Sequence, residues 1–182
     1  MALKPLVSIV MPSHNREKFI GEAIDSMLCQ TFSDFELIIV DDGSDDNTLL
    51  EIKKFKDLRI KVLQHEVNQG NYVARNTGMA IAKGRYIAVM DSDDIALPNR
   101  LQLQVDFLNS HPKVGCVGAL AEMIYENGKP FKLIRYPSSY SKLKTYLFRT
   151  MSLSHPTIID VGGLVLPLNK GFHMVMSSTV TL

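Results

Sequence analysis

Asp91, Asp93 and Asp94 stand within four positions in "VMDSDDIALP", directly after an apolar run. Carboxylates this close raise each other's pKa unless something positive sits between them. Asp91 and Asp93 are two apart, so in extended backbone both point the same way. A hard divalent cation prefers carboxylate oxygen, and Mg2+ or Mn2+ usually takes one or two protein carboxylates and completes its shell with phosphate and water. The spacing therefore points to a metal at Asp91 and Asp93 and to a phosphate-bearing ligand. The competing reading is that Asp93 or Asp94 caps the helix beginning near Leu97.

Two further polar clusters bear on the choice. "MPSHN" places Pro12, Ser13, His14 and Asn15 after one apolar run, and "DDGS" places Asp41 and Asp42 after another. "NQGNYVARN" sets a Gly-containing loop before Arg75 and Asn76, where a helix can present an arginine to a phosphate or a base. Each cluster alone reads equally as turn chemistry, but capping does not readily explain all of them together. An EF-hand is excluded, because Gly43 is not at the sixth loop position and a strand precedes the loop. Lys53, Lys54 and Lys56 read as a solvated face, Met79, Met90 and Met123 as core, and His155 as a candidate third metal ligand.

The elements that position these clusters follow from hydrophobic periodicity. "LVSIVMP", "FELIIV", "RIKVLQ" and "YIAVM" are short apolar runs, as in strands buried on both faces. Between and after them lie four segments with helical spacing. In the first, Phe19, Ile20, Ala23, Ile24, Met27 and Leu28 form one stripe. Ser44 or Asp45 suits the cap of the second helix, and Gly84 the C-terminal cap of the third. This alternation predicts an α/β fold with a mostly parallel sheet and helices on both faces. Ligands in such sheets sit beyond the carboxyl ends of the strands, where the polar clusters fall. After Pro112, "VGCVGALAEMIYENGKPFKLIRYP" predicts two strands joined by a turn at Asn127-Gly128. "SYSKLKTYLFRT" reads as a short helix and "SHPTIID" as a further strand. From Gly162 onward there is neither a helical stripe nor clean alternation.

Composition limits the function classes. The net charge of +1 gives no reason to expect nucleic acid or an anionic membrane as the main partner. Cys29 and Cys116 lack metal-ligand spacing and read as small buried hydrophobes in a reducing compartment. No apolar run approaches the roughly 18 residues that span a bilayer.

"VSIVMPSHNREKFIGEAIDSMLCQTFSDFELIIVDDGSDDNT" and "NQGNYVARNTGMAIAKGRYIAVMDSDDIALPNRL" together resemble the family 2 glycosyltransferases with the GT-A fold, over roughly Leu6 to Leu108 and more weakly to Gly163. The resemblance implies a Rossmann-like sheet with a partial mixed-sheet acceptor region. It implies transfer of a sugar from a nucleotide-diphospho-sugar, usually UDP-linked, to an acceptor hydroxyl with inversion. By position, Pro12 and Ser13 line the nucleotide pocket, Asp41 contacts the base with Asp42 beside it, and Arg75 approaches the base or diphosphate. Asp91 meets the ribose or a metal water, and Asp93 holds Mn2+ or Mg2+ on the diphosphate. The acceptor would be a saccharide or glycolipid, with peripheral association at the inner membrane face of the cytoplasm.

The family's general base comes from an acidic motif beyond the strand matched by "HPTII". Here Asp160 is the only acidic residue after Glu126 and is the candidate base. The sequence thus predicts a domain over residues 1–160, an atypical tail over 161–182, and a truncated or frameshifted acceptor half. Two alternatives compete with an active transferase. One is a nucleotide-sugar-binding fragment without turnover. The other is an aspartate phosphotransferase of the haloacid dehalogenase type with Asp91 as nucleophile, which leaves "DDGS" and "ARNTG" unexplained.

Overall fold

Strand and helix alternate four times along the first 110 residues, and this order builds the sheet that carries the polar clusters. The computed structural model describes residues 4–125, 129–134 and 159–161. The elements are β1 (Val7–Ser13), α1 (Ile20–Leu28), β2 (Phe35–Asp41), α2 (Thr48–Lys53), β3 (Ile60–Gln64), α3 (Asn71–Ile81), β4 (Tyr86–Val89) and α4 (Arg100–Ser110). They are followed by β5 (Cys116–Val117), β6 (Ala121–Ile124), β7 (Pro130–Ile134) and β8 (Ile159–Val161). The main sheet has the order β3-β2-β1-β4-β8-β5. The first four strands are parallel, and β8 runs antiparallel to both β4 and β5.

β1 and β2 are buried at every position, which is why their sequences are continuous apolar runs. Alternate residues feed two cores. Ile9, Met11, Leu37, Ile39, Ala88 and Met90 pack with Ile24 and Met27 of α1, Ile52 of α2 and Leu101 and Val105 of α4. Ile38 and Val40 face the other way, toward Ala74 of α3. Each fully buried Ile, Leu or Met contributes about 1.5–3 kcal/mol, so these two layers set the position of the strand ends.

Several local expectations are corrected. Ser44 and Asp45 do not cap α2; Asp46 Oδ1 accepts the Thr48 N–H at 2.8 Å instead. Neither Asp93 nor Asp94 caps α4, which begins six residues later at Arg100. The expected hairpin forms between β6 and β7, but β5 joins the main sheet beside β8. Met90 is core, whereas Met79 and Met123 are only partly buried, and Cys29 is exposed. Lys53, Lys54 and Lys56 are exposed, as their pattern suggests. The Asn127-Gly128 turn, the segment 139–150, His155 and the tail from 162 lie outside the described residues.

Gly84 is not the cap of α3, whose last turn is followed by Ala82 in extended backbone. It lets the chain pass against β1: a Cβ there would lie 2.4 Å from Ser8 N and 2.7 Å from Val7 C. Backbone on that side cannot yield, so Gly84→Ala is expected to cost at least about 2 kcal/mol, read as a fall of roughly 5 °C or more in Tm. Beside it lies a buried polar knot. Ser8 Oγ donates to Glu36 Oε1 at 2.5 Å, the Lys83 N–H donates to the same oxygen at 2.8 Å, and Lys61 holds Oε2. Burial pushes the Glu36 carboxyl up, but the bonds from Lys61, Ser8 and Lys83 together hold it below its ordinary 4.5. A depressed carboxylate stabilises the fold above its unfolded pKa and loses that contribution as pH falls through the folded value. Wild-type stability should therefore drop on acidification below about 4.5, and Glu36→Gln should flatten that slope in urea melts across the same pH range.

Candidate functional site

The order β3-β2-β1-β4 means that the chain turns back between β1 and β4, and crevices at such a reversal are where ligands enter parallel sheets. Register places the polar clusters at that edge. Ser13 pairs with Asp41, Pro12 pairs with Val40, and the Met90 N–H donates to Val10 O at 3.1 Å. Pairing between β1 and β4 ends at Val10 with Val89, so Pro12, which has no N–H, lies past it.

The loops after β1 and β2 lock together. Asn15 adopts φ +51°, a left-handed conformation that Asn tolerates better than most residues. Its N–H donates to Ser44 Oγ at 3.0 Å, and its Oδ1 accepts the Asp45 N–H at 3.0 Å. Ser44 Oγ in turn donates to Asp41 Oδ1 at 2.5 Å. Gly43, at φ +65°, passes close to the next loop: a Cβ there would meet Val67 C at 2.6 Å. "DDGS" thus supplies both a turn and a carboxylate whose orientation is set by Ser44.

Asp42 points to the other side. Its Oδ1 meets His65 Nδ1 at 2.6 Å and accepts the Gln69 N–H at 3.0 Å, and its Oδ2 accepts the Gly70 N–H at 2.8 Å. His65 Nε2 lies 3.1 Å from Thr77 Oγ1 on α3. Burial raises the Asp42 pKa, but the bonds from His65, Gln69 and Gly70 bring it below the usual carboxylate value. Asp42 therefore fastens the loop that leads into α3 and so helps place Arg75.

Each of the closely spaced aspartates faces an arginine. Arg75 Nη2 donates to Asp91 Oδ1 at 2.9 Å, and Arg16 Nε donates to Asp93 Oδ2 at 3.1 Å. Arg100 is fully buried beneath the loop; its Nη2 donates to Val89 O at 2.9 Å, and its Nε to Gln104 Oε1 at 3.2 Å. Burial pushes the Arg100 pKa down to about 10, against the opposing charges of Asp94 and Asp91. Burial likewise lowers Arg75, and Asp91 pushes it back up. Three cations, from the β1–α1 loop, α3 and α4, thus offset the negative cluster.

Among the described residues, Ser13 Oγ, Asp41 Oδ2 and Arg75 Nε are buried at this edge without a hydrogen-bond partner. Buried polar atoms are nearly always paired, so these three call for a partner that the described residues do not supply. No group of three or more His, Cys, Asp or Glu side chains preformed for a metal occurs among the described residues. Asp91 and Asp93 do fit an ion that takes one or two carboxylates and borrows the rest of its shell from phosphate.

A family model described as glycosyl transferase family 2 matches residues 8–166. The chain belongs to the family 2 glycosyltransferases. Over 103 residues it is 47% identical to the Escherichia coli protein WfgD, named a UDP-Glc:alpha-D-GlcNAc-diphosphoundecaprenol beta-1,3-glucosyltransferase, covering 57% of this chain and 41% of that one. The structure of Staphylococcus aureus TarS 1-349 in complex with UDP superposes with a TM-score of 0.69 at 30% identity, covering 89% of this chain and 48% of that one. The mannosyltransferase PcManGT from Pyrobaculum calidifontis, in complex with GDP-Man and Mn2+, gives a TM-score of 0.59 at 25% identity over 65% of this chain and 36% of that one. The chain spans about half the length of the curated relatives it matches. These neighbours bear out the GT-A fold of this family 2 chain.

In the family 2 chain, Pro12, Ser13, Asp41, Arg75, Asp91 and Asp93 come to one edge, with Asp42 behind it. Asp160 lies in β8, its backbone level with Ile87 of β4 and Cys116 of β5. Arg16, His65 and Arg100 are the additional polar residues of the site. Neither Arg16 nor Arg100 belongs to a polar cluster or a recognisable spacing in the sequence, so neither carries a signal there. No helix among the described residues is long and apolar enough to cross a membrane.

Proposed function

We propose that this chain binds a nucleotide-diphospho-sugar, UDP-linked, and transfers its sugar with inversion to an acceptor hydroxyl in a metal-dependent reaction. The observation that carries the reading is the row of unpartnered buried polar atoms, Ser13 Oγ, Asp41 Oδ2 and Arg75 Nε, beside the Asp91 and Asp93 carboxylates. Ser13 and Asp41 offer a hydroxyl and a carboxylate oxygen to a nucleobase, with Pro12 as the apolar wall. Arg75 Nε is an N–H aimed at an acceptor on the base or diphosphate, while Nη2 orients Asp91. Asp91 and Asp93 would hold Mn2+ or Mg2+, which supplies positive charge to the departing nucleoside diphosphate. An acceptor hydroxyl needs a carboxylate to take its proton; Asp160 is the candidate the sequence offers, although its backbone lies level with Ile87, four residues before Asp91. By analogy with the WfgD name, the acceptor is a saccharide or lipid-linked sugar, presented at the cytoplasmic face of a membrane to which the protein associates peripherally.

The binding half of the reading is tested by thermal melting. UDP with Mn2+ at about 100 times its Kd should stabilise the protein by roughly 2.7 kcal/mol. Asp41→Asn, which keeps shape but removes charge, should lose most of that shift. An unchanged Tm with UDP would overturn the reading, and binding without consumption of any UDP-sugar would leave a donor-binding module.

A further inference from the structure

Arg16 connects two parts of the site that are distant in sequence. Its backbone is tied down on both sides: the N–H donates to Thr48 Oγ1 at 2.7 Å, and the C=O accepts the N–H groups of Phe19 at 3.0 Å and Ile20 at 2.9 Å. From that root the guanidinium reaches Asp93, 77 positions away, with both side chains about 30% exposed. Nη1 donates to His14 O at 3.3 Å and Asn15 O at 3.0 Å, which steadies the group over the loop. Nη2 has no partner among the described residues, so two of the five guanidinium N–H donors stay available to an anion.

We propose that Arg16 is a built-in counter-cation for Asp93 that couples metal binding to nucleotide binding, a step that rests on the donor-and-metal reading above. A guanidinium and a divalent cation on one carboxylate weaken each other, since both are positive and draw on the same charge. Without nucleotide, Arg16 therefore holds down the metal affinity of the site. A diphosphate relieves this competition from both directions. It brings oxygen ligands for the metal and bidentate acceptors for a planar guanidinium. Metal and nucleotide then enhance each other's binding by the same factor, as linkage requires.

Mn2+ titration followed by electron paramagnetic resonance tests the coupling in wild type, Arg16→Gln and Arg16→Lys, with and without UDP. The anchors of Arg16 to Thr48, Phe19 and Ile20 use backbone atoms, so they survive both substitutions. Without UDP, Arg16→Gln should bind Mn2+ about two- to fivefold more tightly, the scale of a half-exposed ion pair. The enhancement of Mn2+ affinity by UDP should shrink by at least the same factor, and Arg16→Lys should stay near wild type. Equal or weaker Mn2+ affinity in Arg16→Gln, in a protein where Asp93→Asn abolishes binding, would overturn the role of Arg16 and leave the metal site standing. Mn2+ binding that ignores Asp93→Asn would remove the metal site and the coupling with it.

Discussion

Asp93→Asn is expected to lower metal-dependent sugar transfer at least about a hundredfold, with little loss of stability. The size follows from the role. A group that stabilises charge developing on a leaving group is commonly worth about 2.7–4 kcal/mol in the transition state. The small stability cost follows from position: Asp93 is about 30% exposed and its side-chain contact among the described residues is one partly exposed ion pair with Arg16, and such pairs contribute about 1 kcal/mol or less. The measurement is kcat with saturating UDP-sugar over a range of Mn2+ concentrations, beside a urea melt. Full activity in Asp93→Asn would remove Asp93 from the metal site. Lost activity together with a collapsed melt would make Asp93 structural instead.

Arg100→Met should produce the largest stability loss. Arg100 is buried, and its guanidinium satisfies Val89 O at the end of β4 while compensating Asp94 and Asp91. Methionine approximates the length of the stem but leaves the carbonyl without a donor and the aspartates without that charge. Removing one partner of a buried charged network costs about 3–5 kcal/mol, or roughly 10 °C in Tm for a chain of this size. Arg100→Lys should fall between, because a lysine keeps the charge but cannot reproduce the fork that reaches Val89 O and Gln104. If Arg100→Met melted like wild type, the aspartate loop would be held by Arg75 and Arg16 alone.

The alternation of elements was legible because each buried strand is a short continuous apolar run and each helix shows one stripe. The edge that carries the site was legible for a related reason: polar clusters at the ends of such runs must fall on the same side of a parallel sheet. What stayed hidden depends on contacts across the fold. The charge beside Asp93 comes from Arg16, and nothing in "HNREKF" marks a side chain that reaches 77 positions ahead. Arg100 sits where an amphipathic helix normally shows its solvated first turn, and only the packing of α4 under β4 buries it. Gly84 suits a helix cap by spacing, but its need for glycine comes from the backbone of β1. The short run that forms β8 was visible as a strand, yet its insertion between β4 and β5 depends on pairing that the hydrophobic pattern does not encode.

Calorimetric titration of the protein with UDP, once with Mn2+ and once with a chelator, tests the central claim most directly. If Asp91 and Asp93 hold a metal on the diphosphate, UDP should bind at least about tenfold more tightly with Mn2+, a difference of about 1.4 kcal/mol. Equal affinity in the two titrations would contradict it.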